Sequence, residues 1–110
     1  MNTTVAEAPN NLTALLVGCG STGQKHLQQL LPSVYSIAVV DHDDAALAWA
    51  KAEAERVRET GVWAAHVNTS NSLDEVLEYA PFDVAHIAVS GDSADSIKAA
   101  LIAAGQVNFG

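Results

Sequence analysis

The sequence has very few positively charged residues. Only five of its 110 residues are Lys or Arg, against 13 Asp or Glu, which gives a formal net charge of −8. Proteins that bind nucleic acid need clustered cations to displace counterions from the phosphates, and no such cluster occurs here. The same shortage disfavours anionic membranes. We therefore expect no nucleic-acid and no membrane partner, and the acidity is typical of a well-solvated protein.

Cysteine and long apolar runs are also scarce. Cys19 is the single cysteine, so no disulfide can form within the chain and nothing indicates an oxidising compartment. No apolar run approaches the roughly 18 residues of a membrane span. Residues 1–11 are polar and have neither the basic nor the apolar part of a signal peptide. These features predict a cytoplasmic protein.

Aromatic side chains make up only 5% of the sequence, yet 49% of its residues are hydrophobic. Alanine supplies much of that apolar fraction, and small side chains suit the close packing of helices on a sheet. At 110 residues the chain has the common size of one domain and can bury a core without disulfides or metals. We predict a flexible tail over residues 1–11 and one folded domain over residues 12–110.

Segments typical of strands and helices alternate along this domain. Strands are predicted at 12–17, 36–40, 62–67, 84–89 and, beginning a fifth, 106–109, with helices between them at 21–31, 44–60, 73–80 and 93–104. Such alternation predicts an α/β fold, a doubly wound parallel sheet covered by helices on both faces. We expect a Rossmann-like three-layer domain of about five strands in the order 3-2-1-4-5. Its ligand crevice would lie at the carboxyl ends of strands one and four.

A glycine motif follows the first predicted strand. Gly18, Gly20 and Gly23 form the pattern G-x-G-x-x-G at a strand-to-helix turn. The first glycine permits the tight turn, the second lets the backbone approach a pyrophosphate, and the third lets the helix pack closely on the strand. Ser21 and Thr22 fall in the first helical turn, where free N–H groups favour phosphate oxygens. The alternative is a plain tight turn without a ligand.

An acidic residue closes the second predicted strand. Asp41 follows Gly23 by 18 residues, near the position of a carboxylate that binds the ribose hydroxyls of a dinucleotide. A carboxylate repels a 2′-phosphate, and no arginine follows, so the sequence favours NAD over NADP as the cofactor. The alternative role for Asp41 is to cap the next helix. His42 is expected either against the adenine or in a surface loop.

The order of several segments resembles one known family. Besides residues 17–23 with His26, the matching segments are 39–43, 73–77, 83–89 and 103–105. From about residue 14 to residue 109 the sequence is similar to the N-terminal domain of the Gfo/Idh/MocA family of NAD(P)-dependent oxidoreductases. The resemblance implies a Rossmann domain that binds the cofactor of an oxidoreductase.

The chain departs from the family pattern after the fourth strand. The family usually has Thr-Pro there and then a histidine, whereas this sequence has Val89, Ser90 and, at the histidine position, Ala94. This loop borders the nicotinamide in the family, so the resemblance places Val89 and Ser90 at the cofactor. The family's Glu-Lys-Pro motif would fall just after Gly110, and its substrate-binding C-terminal domain is absent from this chain. We therefore predict neither catalytic residues nor metal ligands, and expect a fragment without activity alone.

Two further functions are compatible with the same motifs. A free-standing module that senses NAD(H) or regulates a partner would share the glycine turn and Asp41, and would have to be a stable oligomer. A methyltransferase that uses S-adenosylmethionine would need glycine in place of Thr22 and an acidic residue near Leu16. Both mismatches disfavour the methyltransferase.

Overall fold

The computed structural model describes residues 7–110. Within that part, parallel strands alternate with helices in the order β1 (Thr13–Val17), α1 (Ser21–Leu30), β2 (Ser36–Val40), α2 (Asp44–Glu59), β3 (His66–Ser70), α3 (Leu73–Leu77), β4 (Val84–Ile87) and α4 (Asp92–Ala103). The strand order is β3-β2-β1-β4. This is the doubly wound Rossmann-like fold that the sequence predicts.

The centre of the sheet is β1, which pairs with β2 on one side and β4 on the other. Its residues Ala14, Leu15 and Leu16 are fully buried, because both faces of the sheet are covered. Even-numbered β1 residues pack with the buried side chains of α1 and α2. Odd-numbered ones pack with those of α3 and α4. Continuous apolar runs are typical of such doubly covered strands.

The ends of α2 are fixed by local sequence. The side chain of Asp43 accepts a 2.9 Å hydrogen bond from the N–H of Ala45 and so caps the amino end of the helix. Gly61 follows the carboxyl end with a φ of 89°, a conformation that glycine adopts at little cost. The helix therefore runs from the carboxyl end of β2 to the opposite end of the sheet.

The predicted fifth strand at 106–109 is wrong as a full strand. Within residues 7–110 the sheet has four strands, and Phe109 forms only an isolated parallel bridge with Ala85. Before this bridge the contact is made by a side chain instead of a backbone ladder: the buried Gln106 side chain accepts a hydrogen bond from the N–H of Phe82 and donates one to the carbonyl of Phe82. The N–H of Asp83 is bonded to Thr13 of β1.

The third strand is shifted along the chain from its predicted position. It was expected at 62–67 and lies at His66–Ser70. The apolar residues before it pack as a loop: Ala64 and Ala65 are buried, and Trp63 Nε1 donates a 2.8 Å hydrogen bond to the carbonyl of Val34. Since β3 is an edge strand, its own residues are polar and lack the apolar alternation used to predict it.

The predicted tail over residues 1–11 falls partly outside the described residues, which begin at residue 7. Asn10 contacts the domain, since its Nδ2 donates a 3.0 Å hydrogen bond to the carbonyl of Ser33 and its Oδ1 accepts one from the N–H of Leu12. None of the helices in residues 7–110 combines the length and the apolar character needed to cross a bilayer.

Candidate functional site

The turn between β1 and α1 is built on glycine conformations. Gly18 has a φ of 95°, and its N–H donates a 2.8 Å hydrogen bond to the carbonyl of Val40. A Cβ at Gly18 would fall within 3 Å of both the Val89 side chain and the Ala88 carbonyl. The loop after β4 therefore packs directly on the turn, and only glycine fits there.

The other two motif glycines have opposite surroundings. A Cβ at Gly23 would collide with the carbonyl oxygen of Gly18, so α1 approaches β1 as closely as its backbone permits. A Cβ at Gly20 would meet nothing within 4 Å. Gly20 is the N-cap residue of α1, and it supplies no side chain to cap the helix. The first N–H groups of a helix have no partner within the helix. With Ser21 and Thr22 exposed beside them, these groups are available to an anionic ligand.

Asp41 ties the end of β2 to the glycine turn. Its Oδ2 accepts a 2.7 Å hydrogen bond from the N–H of Cys19, and its Oδ1 accepts a 2.8 Å hydrogen bond from the N–H of Asp43. Each oxygen keeps further acceptor capacity, because an ionised carboxylate offers about four lone-pair sites. The alternative role for Asp41 as a helix cap is wrong, because Asp43 caps α2.

The remaining predicted site residues lie on the same edge of the sheet. His42 is exposed directly after Asp41, and Ser90 is exposed after β4, while Val89 is half-buried beside Gly18. All nine predicted residues thus follow β1, β2 or β4 at the carboxyl ends of the strands. Such an edge, at the point where the strand order reverses, is where open α/β sheets bind ligands.

The single thiol of the chain lies inside this turn. Cys19 is fully buried, and burial, followed by the nearby Asp41 carboxylate, raises the pKa of its thiol above the usual range. A helix N-terminus can lower a thiol pKa, but here the two opposing effects dominate. Cys19 is therefore a small packing residue whose backbone, rather than its sulfur, serves the site.

Two histidines meet on the sheet face that α1 covers. The rings of His26 in α1 and His86 in β4 are 4.9 Å apart between centroids. His86 Nδ1 is buried without a hydrogen-bond partner among the described residues. Burial, followed by the proximity of His26, lowers the pKa of His86. His86 is thus a half-buried histidine beside the core rather than part of it, and its environment disfavours the charged form.

A recess of about 770 Å³ lies away from the glycine turn, on the face that the short α3 covers incompletely. Its floor includes Ser36, Ala38 and Asn68, and its rim includes Glu78 and Tyr79. Sequence patterns do not predict it, because its lining comes from separate strands and from α3.

Comparison with known proteins finds similar folds among solved structures, several of which are dehydrogenases. No family model and no curated protein matches the sequence significantly. Among solved structures, the chain is similar to myo-inositol 2-dehydrogenase from Lactobacillus plantarum, with a TM-score of 0.70, 20% identity and 91% of this chain covered. It is also similar to scyllo-inositol dehydrogenase from Lactobacillus casei, solved with NAD(H) and scyllo-inositol, with a TM-score of 0.64, 17% identity and 91% of this chain covered.

A third similar structure is GenD2 from gentamicin A biosynthesis in complex with NAD, with a TM-score of 0.65, 22% identity and 99% of this chain covered. These neighbours are oxidoreductases of the Gfo/Idh/MocA type, which the sequence motifs resemble. The TM-scores of 0.64 to 0.70 show that the chain shares the fold of their Rossmann domain. The chain spans only 27 to 28% of the length of the three neighbours.

Proposed function

We propose that the chain binds NAD at the carboxyl ends of β1, β2 and β4. The observation that carries this proposal is the hydrogen bond from the Cys19 N–H to Asp41 beside the open Gly20. It places a carboxylate next to an uncapped helix N-terminus, and these are the two groups that a dinucleotide requires. Two of the structural neighbours were solved with NAD or NAD(H), which supports the proposal.

Each part of the site has a distinct task in this proposal. The first turn of α1, with Ser21 and Thr22, binds the pyrophosphate through N–H groups and hydroxyls. Asp41 accepts hydrogen bonds from ribose hydroxyls, while His42 borders the adenine and the Val89–Ser90 loop borders the nicotinamide half. When bound, the cofactor supplies a hydride acceptor or donor. NAD is preferred to NADP because the acidic residues from Asp41 to Asp44 repel a 2′-phosphate.

We further propose that these residues are the cofactor-binding part of an oxidoreductase and have no activity by themselves. Hydride transfer needs a substrate fixed against the cofactor. The proposed site lies at one edge of the single sheet in residues 7–110, and the similar solved proteins are more than three times as long as this chain. A regulatory NAD(H)-sensing module is the alternative. It predicts a stable oligomer whose assembly responds to NAD, which sedimentation with and without NAD would detect.

The cellular context is also a proposal. We place the protein in the cytoplasm because its one cysteine is an unpaired, buried thiol. Its acidic surface disfavours nucleic-acid partners. The dinucleotide is thus the predicted ligand, with a homo-oligomer or a substrate-binding domain as the predicted protein partner.

A thermal-shift titration with NAD, NADP and S-adenosylmethionine tests the proposed ligand. Binding to the folded state raises stability by about 2.7 kcal/mol at a hundredfold excess over Kd, so NAD should raise Tm and the other two ligands should not.

Asp41→Ala should weaken NAD binding by about 1–3 kcal/mol, the size of a charge-assisted hydrogen bond. Glu59→Gln is the control, since it removes an exposed charge at the far end of α2, away from the glycine turn. A shift with S-adenosylmethionine alone would overturn the proposal.

A further inference from the structure

The recess beside α3 exists because this helix is short and the strand residues beneath it are small or polar. A five-residue helix rises about 7.5 Å, whereas a five-residue strand spans about 17 Å, so α3 leaves part of β2 and β3 uncovered. On this side of β2 the recess is lined by Ser36 and Ala38, while Ile37 and Val39 are buried on the other side. The resulting cavity of about 770 Å³ is within the range of about 300–1,000 Å³ that is typical of small-molecule sites.

Hydrogen-bonding side chains from three strands line this recess. Thr13 and Ser36 are partners in the register of β1 and β2, and Asn68 of β3 is the partner of Ala38. Thr13, Ser36 and Asn68 all belong to the lining. Because hydroxyl and amide groups both donate and accept hydrogen bonds, the floor of the recess suits a ligand that carries hydroxyl groups.

The wall that α3 contributes is negatively charged. Glu75 and Glu78 both line the recess, and the Oγ of Ser70 donates a 2.8 Å hydrogen bond to Oε2 of Glu75. The same Oγ accepts a 3.1 Å hydrogen bond from the N–H of Ser72. Ser70 therefore holds the Glu75 carboxylate at the end of β3 and also orders the turn that leads into α3.

The basic residues of the chain are placed where they do not neutralise these carboxylates. Four of the five are on α1 and α2, the helices that cover the opposite face of the sheet. The fifth, Lys98 of α4, has its ammonium 5.2 Å from the centroid of the Phe109 ring. The lining of the recess contains no Lys or Arg, so its potential is negative and favours a cation.

We propose that the recess is a second binding site, and that its ligand is a small amine that carries hydroxyl groups. The ammonium group of such a ligand pairs with Glu75 and Glu78, while its hydroxyl groups bond to the polar floor. Tyr79 and Phe82, which also line the recess, offer aromatic surface to the carbon skeleton and to the cation. The site is separate from the proposed dinucleotide site, because none of its lining residues is among the nine predicted for the cofactor.

Glucosamine and glucose are matched probes for this proposal, since they differ only by an amine in place of one hydroxyl. Each is titrated into the ¹⁵N-labelled 110-residue chain and followed by amide NMR shifts, at a pH at which the amine of glucosamine is protonated. Glucosamine should bind at least about fivefold more tightly than glucose, the effect of one ion pair at about 4 Å in water. It should shift the amide signals of Ala38, Asn68 and Glu75.

Three variants locate the site. Glu78→Gln removes an exposed carboxylate of the wall and should weaken glucosamine binding by about fivefold, with glucose affinity changed by less than about twofold. Ala38→Leu fills part of the floor and should weaken the binding of both sugars. Glu59→Gln is the control, because it removes an exposed charge at the far end of α2. The amide spectrum of each variant shows that it is folded.

The outcomes bear on the recess alone. A preference for glucosamine that falls in Glu78→Gln and persists in Glu59→Gln, with shifts at the recess, supports the proposal. Equal affinities for the two sugars, no binding of glucosamine, or shifts confined to other parts of the chain overturn it. The proposed function has its own test in the NAD titration, so either proposal can fail without the other.

Discussion

The N–H of Cys19 donates a 2.7 Å hydrogen bond to the carboxylate of Asp41, so that the glycine turn and the end of β2 are joined across the sheet. The same carboxylate holds the N–H of Asp43, at the residue that caps α2. One side chain therefore orders two loops that border the proposed site. Its contribution to the fold can be measured without any ligand.

Asp41→Asn should destabilise the ligand-free protein by about 1–3 kcal/mol, because one carboxylate oxygen is replaced by an NH₂ group and a partly buried N–H loses its acceptor. Urea unfolding at neutral pH measures this change. Asp44→Asn, at the exposed first residue of α2, should stay within about 0.5 kcal/mol. Equal effects of the two variants would mean that the Asp41 hydrogen bonds do not support the fold.

The two glycines Gly20 and Gly23 should respond differently to alanine. Gly23→Ala places a methyl group on the carbonyl of Gly18 and should cost more than about 2 kcal/mol by forcing α1 away from β1. Gly20→Ala has open space, so it should change stability by less than about 1 kcal/mol while reducing NAD affinity. Unfolding and NAD titration of both variants would separate packing from ligand approach. Undiminished NAD binding by folded Gly20→Ala would contradict the proposed position of the pyrophosphate.

Glu53 should stabilise α2 far more than Glu55 does, although both pair with an arginine three residues later. Arg56 donates two hydrogen bonds of 2.8 Å to Glu53, whose side chain is 8% exposed. The side chain of Glu55 is 70% exposed, and its Oε1 lies 3.3 Å from Nη1 of Arg58. Glu53→Gln should therefore cost about 1–3 kcal/mol. Glu55→Gln should cost at most about 0.5 kcal/mol.

The Glu53 contribution should also depend on pH. Hydrogen bonds from Arg56 hold the pKa of Glu53 at about 2, with Gln28 assisting and burial opposing. Since the folded-state pKa is below the unfolded one, the stabilisation is complete above about pH 4.5 and is lost as pH falls towards 2. Urea unfolding of wild type and Glu53→Gln at several acidic pH values should show their difference shrinking in this window. A difference that stays constant down to pH 2 would show that the ion pair contributes nothing.

His86 should make the protein sensitive to mild acid. Burial and the neighbouring His26 lower its folded-state pKa, so the unfolded state binds the proton more readily. Stability is then complete above the unfolded pKa of about 6.5 and falls as pH drops below it. Thermal unfolding between pH 7.5 and 5 should show a steeper fall for wild type than for His86→Leu. Parallel curves would show that His86 does not couple protonation to folding.

The central part of the fold is predictable from sequence for a physical reason. β2 lies at the predicted residues, Ser36–Val40, because strands covered on both faces are continuous apolar runs. The glycine turn is equally local, since its spacing is set by backbone geometry within six residues. These features depend on few distant contacts, so a pattern of neighbouring residues suffices to find them.

The edges of the sheet are less predictable because distant residues determine them. β3 begins at His66 rather than Val62. The apolar residues before it form a loop, in which Trp63 Nε1 donates a hydrogen bond to the carbonyl of Val34. Of the strand expected at 106–109 only one bridge forms, and Gln106 bonds through its side chain to Phe82, 24 residues away. Likewise, nothing in the local sequence distinguishes a capping role of Asp41 from its hydrogen bond to Cys19, which depends on the pairing of β1 and β2.

The exposed flank of β3 has a consequence for self-association. An edge strand presents backbone N–H and C=O groups that can recruit strands from other molecules and start fibrils. β3 is five residues long, with the sequence His-Val-Asn-Thr-Ser, and its polar side chains offer an incoming strand little apolar surface. Replacing Asn68 and Ser70 by valine would add apolar surface to this edge strand and should promote its pairing with strands of other molecules. The polarity that makes β3 hard to find from sequence patterns therefore also reduces the apolar surface on which strands of other molecules could pair.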